Sequence, residues 1–171
     1  MQPLSAERVE PGERGPVESF EDFYASHLDR VYRALTVALA DSELAREAAD
    51  EAMLRAYARW SRVGSYDNPG AWVFRVGFNW ATSWWRRKRG ERPLPAHDHA
   101  HPAVDPPDVQ VAVTALAALP LAQRAVVVCR VLLELSTSET AAALGLPEGT
   151  VKSRLARALA GLRAVLTEEE P

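Results

Sequence analysis

Residues 136–159 read STSETAAALGLPEGTVKSRLARAL. Ser136 and Glu139 have the S-x-x-E spacing of a capping box. The serine hydroxyl accepts from the backbone N–H three residues on, and the glutamate reaches back. That predicts a short helix to about residue 144. Gly145 ends it, because a residue without Cβ adopts the left-handed conformation that closes helices. Pro147 suits the first turn of a second helix, predicted to run to about 166. A short helix, a glycine turn and a longer helix make a helix-turn-helix arrangement. The second helix has two faces. Val151, Leu155, Leu159 and Leu162 recur at i, i+4, i+8 and i+11, an apolar stripe expected to lock onto the preceding helices. Lys152, Ser153, Arg154 and Arg157 offer donors for base edges and phosphates. Gly149 and Thr150 are small enough to let the helix start approach a duplex, with the Thr150 hydroxyl in reach of a phosphate. Solvated cations on an ordinary amphipathic helix would show the same charges. The capping box and turn just upstream favour DNA recognition.

Working outward, residues 108–118 and 120–134 read as two more helices, the second started by Pro120. The C-terminal part thus spans 108–171. Residues 93–107 (PLPAHDHAHPAVDPP) hold five prolines and three histidines and read as a linker. Residues 1–16, with three prolines and two glycines, read as a tail. Between them, 17–92 is an N-terminal part with helices predicted at 19–39, 41–60 and 69–89, broken at 61–70. Asp41 or Ser42 can cap the second helix, and Pro69 opens the third. Apolar residues in the first two recur at spacings of three and four: Phe20, Phe23, Tyr24, Leu28, Val31, Leu35 and Leu39, then Ala45, Ala49, Ala52, Met53, Ala56, Tyr57 and Trp60. No segment alternates with period two for long enough to make a sheet. The fold class is all-α: two small helical domains joined by a Pro-rich linker.

The net charge of −3 over 171 residues argues against nucleic acid until its distribution is read. Residues 84–92 (WWRRKRGER) carry five cations and one anion. Residues 147–163 carry four cations and one anion. Local patches set phosphate binding. The single cysteine, Cys129 in AVVVCRVLL, excludes an internal disulfide and reads as a small buried hydrophobe. The polar N-terminus lacks a signal-peptide core, and no apolar run reaches the roughly 20 residues a membrane span needs. A cytoplasmic protein is expected. Alternate histidines at 97, 99 and 101 could chelate a metal only weakly without a fold to fix them, so neither metal nor cofactor is expected.

The C-terminal part resembles region 4 of the sigma-70 family of bacterial transcription initiation factors, most of all its extracytoplasmic-function group. The matching pieces are ALP-x-x-x-R at 118–124, LS-x-x-E-x-A at 135–141 and LGLPEGTVKSRLARAL at 144–159. LuxR-type output domains share a similar T-V-K but would lack a second element. The N-terminal part supplies one. FEDFYASHLDRVYRAL, DSELAREAADEAMLRAYARW and PGAWVFRVGFNWATSWWRRKR resemble region 2 of the same group, with the linker where region 3 would be.

The resemblance implies a non-enzymatic sigma factor that docks on the clamp helices and flap of core RNA polymerase. It would read the minus-thirty-five and minus-ten promoter elements, open the duplex, and answer to an anti-sigma factor. It implies no small-molecule substrate, and localisation with the nucleoid when in holoenzyme. Polymerase docking falls to Glu47, Asp50, Glu51, Leu54 and Arg55, off the buried stripe of the second helix. The minus-ten loop of the family corresponds to 61–68, where Ser65, Tyr66, Asp67 and Asn68 offer stacking and hydrogen bonding for a flipped base. Aromatics beside cations suit capture of single-stranded DNA. Val73, Val76, Gly77, Trp80, Ala81 and Trp84 are assigned to core. Trp72, Phe78, Asn79 and Trp85 are open to packing or DNA contact. Arg75 joins the DNA face, and Arg86, Arg87, Lys88 and Arg89 are expected to track phosphate.

Two departures from the family pattern stand out. EAADEAMLR replaces a common D-L-V-Q-E-x-F, which bears on polymerase docking, and Ser83 replaces an acidic residue. The short ending TEEEP leads us to expect no further domain after region 4. A helix-turn-helix regulator that binds duplex DNA without polymerase is the alternative, and a sigma-like protein that sequesters a partner is a third. The first leaves the tryptophan-rich N-terminal part unexplained.

Overall fold

The computed structural model describes residues 18–88 and 107–168, and side chains within them except those of 88, 107–112 and 166–168. The tail, the linker histidines and Arg89 lie outside the described residues. All regular structure among the described residues is helical.

Helix α1 (Phe20–Leu39) starts where the Ser19 hydroxyl accepts from the Asp22 N–H at 3.1 Å. It ends at Ala40 in the left-handed region (φ 54°), whose N–H returns to the Thr36 carbonyl. Helix α2 (Ser42–Tyr57) is capped by Asp41, which accepts from the Leu44 N–H at 2.9 Å. The predicted break at 61–70 contains a further turn of helix, α3 (Trp60–Val63). Trp60 therefore leaves α2. Its ring packs on Phe23 (centroids 4.7 Å) and Phe20 (5.5 Å), and its indole N–H donates to the Glu18 carbonyl at 2.9 Å. Helix α4 (Pro69–Lys88) opens with the Asn68 side chain accepting from the Ala71 N–H at 2.9 Å.

Helices α1, α2 and α4 pack on one another around Phe23, Val31, Leu35, Val73 and Phe74, all at most 1% exposed. Ala45, Ala48, Ala49, Ala52 and Ala56 of α2 are buried along this seam. A Cβ at Gly77 would stand 2.9 Å from the Ala48 carbonyl oxygen. The alanines that depart from the family pattern are therefore packing residues, and with Gly77 they let α4 approach α2 closely. Phe74, absent from the predicted core face of α4, is fully buried, while Trp80 and Trp84 are half-buried against the cluster.

In the C-terminal half, α5 (Pro107–Ala118) is followed by α6 (Leu121–Val127). The helix predicted over 120–134 changes pitch: Val128–Leu132 is a π-helical turn closed by Leu133 N–H on the Val128 carbonyl at 3.1 Å. The chain then turns through Glu134 at φ 54°, with Leu135 N–H on the Cys129 carbonyl and the Arg130 guanidinium on the Leu135 carbonyl. These bonds tie down a segment that a regular helix would have carried away from the next element. Burial of Cys129 pushes its thiol up to about 12, an inert side chain.

Both bonds of the expected capping box form ahead of α7 (Thr137–Leu144): Glu139 N–H to Ser136 Oγ at 3.1 Å and Ser136 N–H to Glu139 Oε2 at 2.7 Å. Gly145 sits at φ 65°, and α8 (Glu148–Glu168) follows. Val126, Ala141 and Val151 form a small cluster between α6, α7 and α8. The predicted stripe on α8 needs one correction. Ala158 is fully buried and Leu159 is 39% exposed, so the locking face continues through i+7 rather than i+8.

The two halves touch. Helix α1 packs against α5, α6 and the π-helical turn, and α4 packs against α7. Val128, Cys129, Leu133, Leu135 and Ala143 belong to the same buried cluster as the core of α1, α2 and α4.

Candidate nucleic-acid interface

Three groups of predicted site residues fall on three surfaces. On α8, Gly149, Lys152 and Arg157 are exposed, and Thr150, Ser153 and Arg154 are half-buried. The Ser153 hydroxyl donates to the Thr150 carbonyl at 3.1 Å, and Arg157 reaches Ser153 at 3.5 Å. Lys152, Arg154 and Arg157 have no carboxylate partner among the described salt bridges. Val151 and Ala158 hold the other face of the helix, so Lys152 and Arg157 point away from the body, while Arg154 borders the buried stripe. Their charge is available to phosphate or to base edges.

The second surface is the loop before α4 and the helix itself. Asp67 is exposed; Ser65, Tyr66 and Asn68 are half-buried. Ser65 donates to the Arg62 carbonyl at 2.8 Å, and Tyr66 packs toward Trp72 with centroids 6.4 Å apart. Arg75 and Asn79 are exposed, whereas Trp72, Phe78 and Trp85 are half-buried against the core cluster. Arg86 and Arg87 are exposed, and Lys88 is described in backbone only. Ser83, where the family has an acid, accepts from the Arg86 guanidinium at 3.1 Å. A neutral hydroxyl orients that cation without cancelling its charge.

The third surface lies on α2. Glu47, Asp50 and Leu54 are exposed, and Glu51 and Arg55 pair at 2.7 Å. Beside them runs a groove of about 510 Å³ lined by Phe20, Glu21, Tyr24, Asp50, Met53, Leu54 and Tyr57. Tyr57 and Tyr24, placed on the buried stripes by periodicity, are 61% and 39% exposed. Both sit at stripe edges where a spacing of three or four admits either face. Among the described residues there is no group of three metal-ligating side chains, and no helix long and apolar enough to cross a membrane.

Comparison with known proteins shows the family. Residues 110–162 match the family described as sigma-70, region 4. The RNA polymerase sigma-E factor of Streptomyces avermitilis is 36% identical over 161 residues, covering 91% of this chain and 89% of that protein. This chain is an RNA polymerase sigma factor of the extracytoplasmic-function group. SigM of Mycobacterium tuberculosis, an ECF RNA polymerase sigma factor, is 34% identical over 153 residues, covering 86% of this chain and 77% of that one. In fold, the chain is similar to the sigma factor RpoE of Bartonella quintana, solved in complex with the anti-sigma factor NepR. The TM-score is 0.73 at 23% identity, covering 88% of this sigma factor and 98% of that chain. The exposed cations Lys152 and Arg157 of α8 lie inside the matched region 4 span.

Proposed function

We propose that this sigma factor binds core RNA polymerase, carries it to promoters with its own minus-thirty-five and minus-ten sequences, and opens the duplex there. The observation that carries this reading is the likeness to sigma factors along nearly the whole chain, together with the exposed cations Lys152 and Arg157 on the outer face of α8. Residues 17–92 serve as region 2 and 108–171 as region 4. Glu47, Asp50, Leu54 and the Tyr24–Tyr57 groove form the polymerase face, since charged groups around an apolar slot suit a partner helix. The minus-ten element meets Asp67, Asn68, Arg75, Asn79 and the edge of Trp85, and Arg86–Arg89 follow the phosphates. Gly149, Thr150, Lys152, Ser153, Arg154 and Arg157 read the minus-thirty-five element.

Bond-making chemistry stays with the polymerase, and this chain acts in the cytoplasm as a non-catalytic subunit. An anti-sigma factor is the expected antagonist, since Bartonella RpoE was solved bound to one. The test is run-off transcription with purified core polymerase and fragmented genomic DNA. Discrete starts that share two upstream motifs are expected. Folded protein and active core without discrete starts would overturn the reading.

A further inference from the structure

Contiguous apolar surface left open on a folded chain marks a place where something docks. The groove between α1 and α2 is such a surface, lined by aromatic rings. Phe20 lies 5.1 Å from Tyr57 and 5.9 Å from Tyr24, centroid to centroid, and Leu54 beside them is 63% exposed. Carboxylates stand at both ends. Glu21 follows Phe20 at the Tyr57 end, and Asp50 lies two turns of α2 back from Tyr57, with Glu47 a turn beyond it. None of these three acids has a cationic partner among the described salt bridges. An aromatic slot with an acidic rim suits an extended, proline-containing segment that carries cations, because such a segment docks on rings in a shape it already holds.

Two segments of this chain have the prolines. The linker from Pro93 to Pro107 has no Lys or Arg, and its Asp98 and Asp105 would meet the acidic rim with like charge. Residues 1–17 combine Pro3, Pro11 and Pro16 with Arg8 and Arg14. Their spacing fits the groove. In a polyproline helix of three residues per turn, Arg8, Pro11 and Arg14 share one edge, while Glu7, Glu10 and Glu13 share another. One edge thus offers a proline between two cations, with the acids turned to a different side. At 3.1 Å per residue the two arginines would stand about 19 Å apart. The stretch of α2 from Tyr57 to Glu47 is about 15 Å long at 1.5 Å per residue. Long arginine side chains cover the difference.

The point of entry fits as well. The Trp60 indole N–H donates to the Glu18 carbonyl at 2.9 Å, and the Trp60 ring packs on Phe20 at 5.5 Å. This bond pins Glu18 at the Tyr57 end of the groove. Gly15-Pro16, a turn-forming dipeptide, lies between Glu18 and Arg14. Four residues reach about 13 Å, enough to reverse into the groove.

We propose that residues 8–14 of this chain dock in the α1–α2 groove, with Pro11 on the tyrosine rings, Arg14 at Glu21 and Arg8 at Asp50, and so compete with core polymerase for that face. The competition rests on the reading of the groove as the polymerase face; the docking does not.

The test attaches a nitroxide to the full-length protein at Ser5→Cys. Cys129 is fully buried and stays unlabelled. The label is expected to broaden the NMR signals of Glu47, Asp50 and Leu54 and to leave those of α8 sharp. Adding Arg8→Glu and Arg14→Glu is expected to abolish the broadening. Without a nitroxide, the same charge-reversed protein is expected to bind core polymerase about three- to tenfold tighter than the wild type. That factor corresponds to a groove filled about two-thirds to nine-tenths of the time. Groove signals that stay sharp would overturn the proposal. So would broadening that comes instead from a label at Ala100→Cys, which would give the groove to the linker. Broadening of isotope-labelled chains by separate nitroxide-labelled ones would give it to a second copy, with the same consequence. Docking that the charge reversal abolishes, with polymerase affinity unchanged, would overturn the competition and the reading of the groove as the polymerase face, and leave the docking standing.

Discussion

In region 4, Lys152 and Arg157 stand in solvent while Val151 and Ala158 hold α8 from the opposite side. In the N-terminal half, Trp72, Trp80, Trp84 and Trp85 are all half-buried against the core, and the groups proposed to face DNA are interleaved with them. Region 4 separates the groups proposed to bind from the groups that fold. The N-terminal half does not, because bases that leave the stack would need aromatic and apolar surface, and that surface also packs. Changes at the two surfaces should therefore differ in kind.

The largest effect is expected at the seam between α2 and α4. Gly77→Val places a branched side chain where even a Cβ would stand 2.9 Å from the Ala48 carbonyl oxygen and 3.0 Å from Leu35 Cδ1. Backbone cannot move aside as a flexible side chain can, so α4 must shift off α2. Overpacking of this sort costs about 2–3 kcal/mol. Urea unfolding should show the midpoint falling, with the aromatic side chains of α4 displaced along with it. An unchanged midpoint would mean that the alanine–glycine seam does not set the helix spacing.

The opposite behaviour is expected of Arg154→Ala and Arg157→Ala. Each should weaken holoenzyme binding to a promoter fragment by about 1–3 kcal/mol if it reads a base edge. Loss of a phosphate contact instead would weaken all sequences alike and flatten the salt dependence. In neither case should thermal unfolding move by more than about 0.5 kcal/mol, as for other surface changes. Competition between matched and altered promoter fragments distinguishes the two roles. A large loss of stability would mean that these side chains belong to the packing of α8.

Much of this was readable in the sequence, and the reasons for the rest are local. The capping box, Gly145 and the spacing of Val151 and Leu155 each specify a backbone geometry on their own, so the helix-turn-helix was legible residue by residue. Periodicity placed α1, α2 and α4 as well. It failed at Tyr24, Tyr57 and Leu159, which lie at the margins of their stripes, where burial depends on the crossing of two helices. It also missed Phe74, since a helix enclosed on more than one side buries residues outside a single stripe. The π-helical turn could not be read either. It depends on the local bond from Arg130 to the Leu135 carbonyl and on the tertiary contacts of Arg30 in α1 with the Leu132 carbonyl at 3.1 Å and the Glu134 carboxylate at 3.2 Å. The docking of the halves left no signal beyond Arg124 in a family motif, which donates to the Ala38 carbonyl of α1 at 2.7 Å.

The smallest expected effect tests where the two halves meet. Ser136→Ala removes the cap of α7 and should cost about 1 kcal/mol. Its partner Glu139 is held below the usual carboxylate range, first by the Ser136 side chain and then by the Ser136 backbone N–H, with smaller help from Asn68 and Arg130. A carboxyl whose folded value is depressed adds stability at neutral pH, and that stability is lost as the pH falls through the carboxylate range and below. The advantage of the wild type over Glu139→Gln should therefore shrink on acidification, measured as unfolding midpoints between neutral pH and the acid limb. Because Glu139 is exposed, the change should be slight. Asn68→Ala should remove part of it, since that amide comes from the other half. An Asn68→Ala profile identical to the wild type would confine the stabilisation of Glu139 to its own capping box and leave the packing of α7 on α4 apolar.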